Sequence, residues 1–498
     1  MKFSKFLKDL LFTGFSQVLV LLMGVVFVKI MAMALDKNSF GLLMLIRRWL
    51  GVLQPLLTLN LGLSLIKFVS TNKEKQAHFF KVSLGIINLI FLIVTAAVCI
   101  LPKTFSFLLF NSPQYPLLTV IFTVFTYSAA LYLLIYSFFR GEQDMTRANI
   151  LSLEYYGFPV LLAGLLLVLN FKNGYRDLVF FHFLYTVPVI AAAFLYFWKN
   201  NLFALRYPLK FKLKEMSGFL SYGLNRLPST LFSSLILGFP VFWANRTMTL
   251  EEAGYLGLGV YIVRMMEIFS TPFNKIFMPK FSEFSVSAKP GDVKDKSMIV
   301  VDFIITFLPV VVLSIYGLSR HILLLWLGKE FLIALPAIQI AILFSGFYVM
   351  HAIIRGILNG VFIFPYVNII GLLGLTAVTL PIVFALGSNL LGISLSFGAG
   401  LFVLGVSSLY ILVKKLALAF PWKLLLVYSV VAAVVFFITF FIDKSMVRLV
   451  SLNTYVEFMI LCAYRFLLLL AIFFLFWKKT LWYSELKKRM NVQKQGVN

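Results

Sequence analysis

The sequence predicts an all-α integral membrane protein of about 14 transmembrane helices, and three observations carry that expectation. Of the 498 residues, 61% are hydrophobic and 13% charged, for a mean hydropathy of +0.96, a balance outside the range of soluble domains. Apolar runs of about 20 residues, the length that crosses about 30 Å of hydrocarbon, recur along the whole chain with no soluble domain between them. Lys and Arg number 44 against 19 Asp and Glu. Read from a cytoplasmic N-terminus, roughly 29 of those 44 fall on one side, about nine on the other and about six within spans. The net charge of +25 is therefore mainly a topology signal and calls for no nucleic acid. Both termini fall on the cytoplasmic side, and the clusters at Lys199–Lys214 and Lys478–Arg489 suit anionic membrane lipids.

The elements follow in order. The first apolar run, Leu10 to Leu35, is too long for a signal-peptide core and lacks a small-residue cleavage site, so it stays as a membrane helix over 10–34. The short outer turn Asp36-Lys-Asn-Ser39 leads to helix 2 (40–69), and an inner loop around Lys73-Glu-Lys75 to helix 3 (82–101). A Pro-rich outer turn, 102–116, precedes helix 4 (117–139). The inner loop Arg140 to Arg147 precedes helices 5 (149–170) and 6 (178–198). The basic segment after it divides the chain into an N-terminal six-helix lobe (1–200), a cytoplasmic linker (201–215) and a C-terminal six-helix lobe (216–415). In that second lobe, helices 7 (218–243) and 8 (254–280) are joined by Asn245 to Glu252, and Pro290-Gly291 marks the next inner turn. Helices 9 (298–319), 10 (333–356), 11 (365–386) and 12 (390–413) follow. Helices 13 and 14 occupy 416–480, and 481–498 is a cytoplasmic tail.

Two spans echo each other. Gly41 opens helix 2 and Arg47 precedes Pro55 there; Gly254 opens helix 8 and Arg264 precedes Pro272 at the same spacing. Six helices per half make such a repeat parallel, with an axis along the membrane normal and a site near the midplane.

The charges inside the spans are the candidate functional groups. At about 100° per residue, Tyr261, Arg264, Glu267, Thr271, Asn274 and Lys275 share roughly 140° of helix 8, with apolar residues on the rest. Arg264 lies roughly 16 Å into that helix, where a lone Arg costs about 2.5–3.5 kcal/mol on insertion scales and so faces protein or water. A structural Arg264–Glu267 pair one turn apart is the plain alternative to a polar stripe lining a substrate cavity. On helix 2, Arg47 and Gln54 share a face, with Arg48 about 100° away; one of the two Arg is expected to snorkel to the headgroups. Arg226, ahead of Pro228, and Arg465 in helix 14 reach similar depth. Together these Arg form a candidate mid-membrane cationic cluster. Glu267 is the deepest acid, whereas Glu154 and Asp302 read as interfacial and Arg355 and His351 as snorkelling or packing residues. An excess of guanidinium suits phosphate, whose oxygens it binds two at a time, and disfavours cationic cargo. The chain carries no nucleotide-binding loop, Ser or Cys triad or metal spacing, and its two Cys fall inside spans. No catalytic residue, cofactor or metal is called for, and coupling to the membrane potential, protons or sodium is left open.

Several outer and inner turns carry a resemblance. Leu35-Asp-Lys-Asn-Ser-Phe-Gly41 and Leu250-Glu-Glu-Ala-Gly-Tyr255 resemble the paired outer turns of the polysaccharide transporter family. So do Met278-Pro-Lys-Phe-Ser-Glu283, Leu325-Trp-Leu-Gly-Lys-Glu-Phe331 with Ala334 and Pro336, and Gly387-Ser-Asn-Leu-Leu-Gly392. These are the Wzx-type lipid-linked oligosaccharide flippases of the multidrug/oligosaccharidyl-lipid/polysaccharide exporter superfamily, and the likeness spans essentially the whole chain. Arg264-Met-Met-Glu267 is also similar to a stretch of the related lipid II flippases, in which the Arg belongs to a central cavity. The Arg-Asp pair of their first helix has no counterpart here, where Lys29 is the one charge of the span, which argues against lipid II as cargo.

The resemblance implies two six-helix bundles in a V-shaped, MATE-like arrangement, plus two C-terminal helices, in a bacterial inner membrane. It implies a transporter rather than an enzyme: one that moves an undecaprenyl-diphosphate-linked oligosaccharide, the repeat unit of O-antigen or another surface polysaccharide, by alternating access. Its partners would be that glycolipid, membrane lipids, a polysaccharide polymerase and glycosyltransferases. The alternatives are a MATE-like multidrug or metabolite antiporter, or a membrane polymerase or ligase, which would need a larger outer loop than any here.

Overall fold

The computed structural model describes residues 3–71, 73–169, 174–199, 213–267, 270, 281, 290–362, 364, 366–386, 389–418, 437, 458–465 and 467. Among them the chain is helical throughout, without a strand. The helices are α1 (Phe3–Ala34), α2 (Lys37–Leu57), α3 (Leu61–Thr71), α4 (Gln76–Ile100), α5 (Pro102–Phe110), α6 (Pro116–Gly141), α7 (Met145–Leu169) and α8 (Tyr175–Lys199). They continue as α9 (Leu213–Leu224), α10 (Leu227–Thr247), α11 (Leu250–Met266), α12 (Pro290–Trp326), α13 (Leu335–Val361), α14 (Tyr366–Leu373), α15 (Leu380–Leu386) and α16 (Leu390–Lys415). Eleven helical stretches among the described residues are long and apolar enough to cross a membrane. The linker expected at 201–215, helices 13 and 14 and the tail lie almost wholly outside the described residues.

The boundaries differ from the sequence expectation where proline removes a backbone donor. Helix 2 is two helices: α2 runs through Pro55, whose ring removes one rung of the ladder, to Leu57, and the chain then turns where Leu59 and Asn60 take φ of 48° and 55° and Asn60 N–H bonds back to the Pro55 carbonyl at 3.0 Å. Asn tolerates that left-handed conformation, whereas Leu59 holds it at a cost of about 1–2 kcal/mol. Helix 7 breaks at Asn225 and Arg226 for the same reason. Pro228 opens α10, and the Arg226 carbonyl accepts from the Ser229 (2.9 Å) and Thr230 (3.3 Å) hydroxyls. The outer segment 102–116 is half helix, with α5 started by Pro102 and closed by Asn111 at φ 55°. Between α14 and α15 a π-helical turn, Gly374–Thr379, precedes Pro381.

The described chain forms two compact units. The first comprises 1–260 and 371–396, the second 261–370 and 397–498. In the first, Phe80, Phe138 and Phe197 interlock at ring distances of 5.1 and 5.5 Å in a core shared by α3, α4, α6, α8 and α9. The two glycines that the internal echo pairs also meet here: a Cβ on Gly254 would stand 3.1 Å from Gly41 Cα, and one on Gly41 would overlap the Leu250 carbonyl. Only glycine lets α2 and α11 approach so closely. Trp49 stacks on Phe242 of α10 at 4.1 Å and donates its indole N–H to the Leu109 carbonyl at 2.7 Å. The N-terminal end of α11 is fixed by a reciprocal cap between Thr249 and Glu252. In the second unit α12 packs on α13, and Gly398 and Gly405 of α16 leave room for Phe344 and Phe347.

Candidate functional site

Each unit holds a constellation of polar groups among the described residues: in the first on α2, one of the eleven apolar stretches, and in the second at the end of the 17-residue α11, which is not one of them. In the first, α1, α2, α6, α7 and α8 enclose a cavity of about 350 Å³. From α2 it receives Leu43, Arg47, Leu50 and Gln54, spaced so that one helical face points inward. Arg47 lies 4.6 Å from the ring centre of Phe27, and Gln54 donates its amide to the Ala129 carbonyl at 2.8 Å. The rest of the wall is largely tyrosine. Tyr132 stacks on Tyr155 at 3.7 Å and 12° and shares a 2.9 Å hydrogen bond with Ser152. Tyr136, Tyr156 and Tyr185 complete the ring set, and His182, its Nδ1 on the Leu178 carbonyl at 2.7 Å, closes one side.

Sequence alone reads such Tyr as lipid-facing or interfacial. Their spacing, Tyr132/Tyr136 and Ser152/Tyr155/Tyr156 on two helices, is the signal available for one inward face on each. Arg48, about 100° round the helix, packs its stem beside Gly238 of α10 and buries its Nε. Arg226 sits at the α9–α10 break with its guanidinium 3.8 Å over Tyr222, which Lys67 covers from 4.2 Å.

In the second unit Arg264 Nη1 donates to Glu267 Oε2 at 2.9 Å and to the Tyr348 hydroxyl at 3.3 Å. The pair is not sealed: the Arg264 side chain keeps 40% of its exposure and Glu267 22%. Glu267 is held just beyond α11, where Ser270 donates both N–H and hydroxyl to its carbonyl. Tyr348, His351 and Arg355 follow at helical spacing along α13, and Arg355 acts electrostatically on Glu267 and Tyr348 more weakly than Arg264. Arg264 is thus the cation in contact with the carboxylate, and Arg355 acts on it from a distance. Arg355, expected to be a snorkelling or packing residue, lies within electrostatic range of this pair, and Tyr348 joins it without having been among the candidates.

His351 is buried, its Nδ1 2.7 Å from Ser408 Oγ. Tyr261 stacks on Trp326 at 5.9 Å. Arg465 is buried against α12, bonded through Nη1 to the Ser314 carbonyl and through Nε to the Tyr464 hydroxyl at 3.1 Å. Asp302 is buried among its neighbours. Thr271 and Asn274 lie outside the described residues.

The described residues define a multi-pass helical membrane protein, and the comparisons agree. The model of the family described as "Polysaccharide biosynthesis protein" matches residues 6–285. The chain belongs to that family. Searched by sequence, curated proteins give no match. Among solved structures it is similar to the lipid II flippase MurJ in an inward closed conformation. That match has 15% identity and a TM-score of 0.70, over 95% of this chain and 99% of that one. It is similar also to the MATE multidrug transporter DinF-BH, at 14% identity and a TM-score of 0.64 over 83% and 96%. The Vibrio cholerae MATE transporter VcmN in its bent form gives 13% and 0.59 over 83% and 98%. At these identities the likeness is one of fold.

Proposed function

We propose that this protein is a flippase that carries a polyprenyl-diphosphate-linked oligosaccharide, in bacteria undecaprenyl-linked, from the inner to the outer leaflet of the cytoplasmic membrane. The observation that carries the reading is the excess of guanidinium over carboxylate at membrane depth, with Arg264 half-open beside a single Glu267 and Arg355 near by. The family and the fold shared with a lipid II flippase support it. Moving a diphosphate and sugar hydroxyls through hydrocarbon leaves polar groups unbonded at several kcal/mol each. A cationic, wet chamber replaces their water while the polyprenyl tail stays in lipid. Alternating access then opens the chamber to each leaflet in turn. An inside-negative potential favours outward movement of the anion by about 2.3 kcal/mol per charge per 100 mV, and also favours inward return of the emptied cationic site. Glu267, paired with Arg264, is the candidate for proton or sodium coupling. A polymerase and glycosyltransferases handling the same glycolipid are the expected partners, and both termini face the cytoplasm.

The test is flipping of a fluorescent polyprenyl-diphosphate glycan in proteoliposomes. Wild-type protein is expected to expose the label to an external quencher, and Arg264→Ala to fail while inserting normally. Normal flipping by Arg264→Ala removes that residue from the site. Thermal stabilisation by flat organic cations, and not by the glycolipid, would instead favour the antiporter reading that the MATE-like fold keeps open.

A further inference from the structure

The cavity of the first unit has a wall chemistry that selects among ligands. It combines stacked ring faces, amides, hydroxyls and one guanidinium, and no carboxylate lines it among the described residues. The Gln17 amide at its rim has no hydrogen-bond partner among the described residues. An acyl chain would leave that amide against hydrocarbon, which is costly. An organic cation would find ring faces but also the Arg47 guanidinium, with no counter-charge in the wall. A phosphate would engage Arg47 and leave the rings unused. A pyranose ring engages every part of the wall. Its C–H face carries slight positive charge and meets the negative face of a tyrosine, while its equatorial hydroxyls project edgewise to amides and hydroxyls. About 350 Å³ lies at the small end of ligand pockets, which suits one sugar ring rather than a whole repeat unit.

We infer that this cavity, with Tyr136 and Tyr156 as ring faces and Gln17, Gln54 and Ser152 as edge partners, is a subsite for a single pyranose of the transported glycan. The inference rests on the glycolipid reading of the cargo. Substrate selection by sugar identity would then reside here, apart from the Arg264 cluster.

The test uses the full chain in membranes of the host that makes it. A photoreactive benzoylphenylalanine replaces Tyr156, which is 43% exposed and so tolerates the change, and in a second preparation replaces Tyr261 beside Arg264. Adducts are read by mass spectrometry. Hexose or N-acetylhexosamine masses at position 156 are expected, with Gln17→Ala lowering their yield about tenfold, the equivalent of roughly 1.4 kcal/mol, and leaving position 261 unchanged. Acyl chains, bare polyprenyl phosphate or no adduct at 156, with glycolipid captured at 261, overturns the subsite alone. Absence of any glycan at both positions overturns the cargo reading and the subsite with it.

Discussion

The cavity of the first unit and the charged cluster of the second meet the same difficulty, polar groups at bilayer depth, by different means. In the first, Arg47 lies on an aromatic ring, and the surrounding hydroxyls are held by one another and by main-chain carbonyls. In the second, Arg264 is held by a carboxylate and a phenol on a neighbouring helix. A ring quadrupole cannot be titrated or displaced by an ion, whereas a carboxylate can be protonated and a guanidinium can exchange it for phosphate. The first arrangement therefore suits recognition of a neutral group, and the second suits binding and release of an anion.

The comparison breaks most visibly at Arg264. Arg264→Ala is expected to cut flipping in proteoliposomes by roughly a thousandfold or more, about 4 kcal/mol, with no loss of thermal stability. Equal damage to stability would mean that the Arg264–Glu267 pair is only a staple. The converse holds for the first unit. Tyr132 is nearly buried and stacked face to face on Tyr155, so Tyr132→Ala should destabilise the purified protein by about 3–5 kcal/mol, as large-to-small core changes do. Chemical denaturation in detergent reads this directly, and a change below about 1 kcal/mol would show the ring stack to be dispensable.

How much of this can be read from the chain alone differs between the two regions. The Arg264–Glu267 pair is legible because two charges three apart in an apolar run have few explanations. The helix 2 face is legible too, since the spacing of Arg47 and Gln54 fixes their direction once a helix is granted. The tyrosine cavity is not, because Tyr is also the ordinary residue of membrane interfaces and only tertiary packing separates the two uses. Arg355 misleads by its depth: it sits toward one end of α13, where snorkelling is the default, and its nearness to Glu267 depends on how α11 and α13 meet. The breaks at Leu59 and at Arg226 follow from Pro55 and Pro228, yet proline within a membrane helix as often bends it as ends it.

Arg355 gives the next prediction. Placed within the field of Glu267 and Tyr348, it should contribute to holding an anion. Arg355→Ala is expected to lower flipping about tenfold, roughly 1.4 kcal/mol, with Arg355→Lys recovering most of it. Activity unchanged in Arg355→Ala would return the residue to a membrane-edge role and leave the second unit with a neutral pair.

A pair of serines separates a wet region from a dry one, and one of them gives the smallest effect. In the second unit, Ser408 gives its hydroxyl proton to the Leu404 carbonyl at 2.7 Å, so its oxygen can only accept from His351 Nδ1. The proton of the neutral imidazole therefore sits on Nδ1, and Nε2, buried with no partner among the described residues, is a bare lone pair. Ser408→Ala strips the one acceptor, and moving the proton to Nε2 gains nothing because no acceptor is recorded there. A loss of about 1–3 kcal/mol is expected for a buried donor left unsatisfied. Ser152→Ala removes a hydroxyl of similar burial from Tyr132, but there the cavity is large enough for a water to take its place. That variant should lose only about 0.5–1 kcal/mol. Denaturation midpoints of the two serine variants, measured side by side, decide the matter. If Ser152→Ala proves as costly as Ser408→Ala, the first cavity is dry, and a sugar hydroxyl has no solvated space to enter.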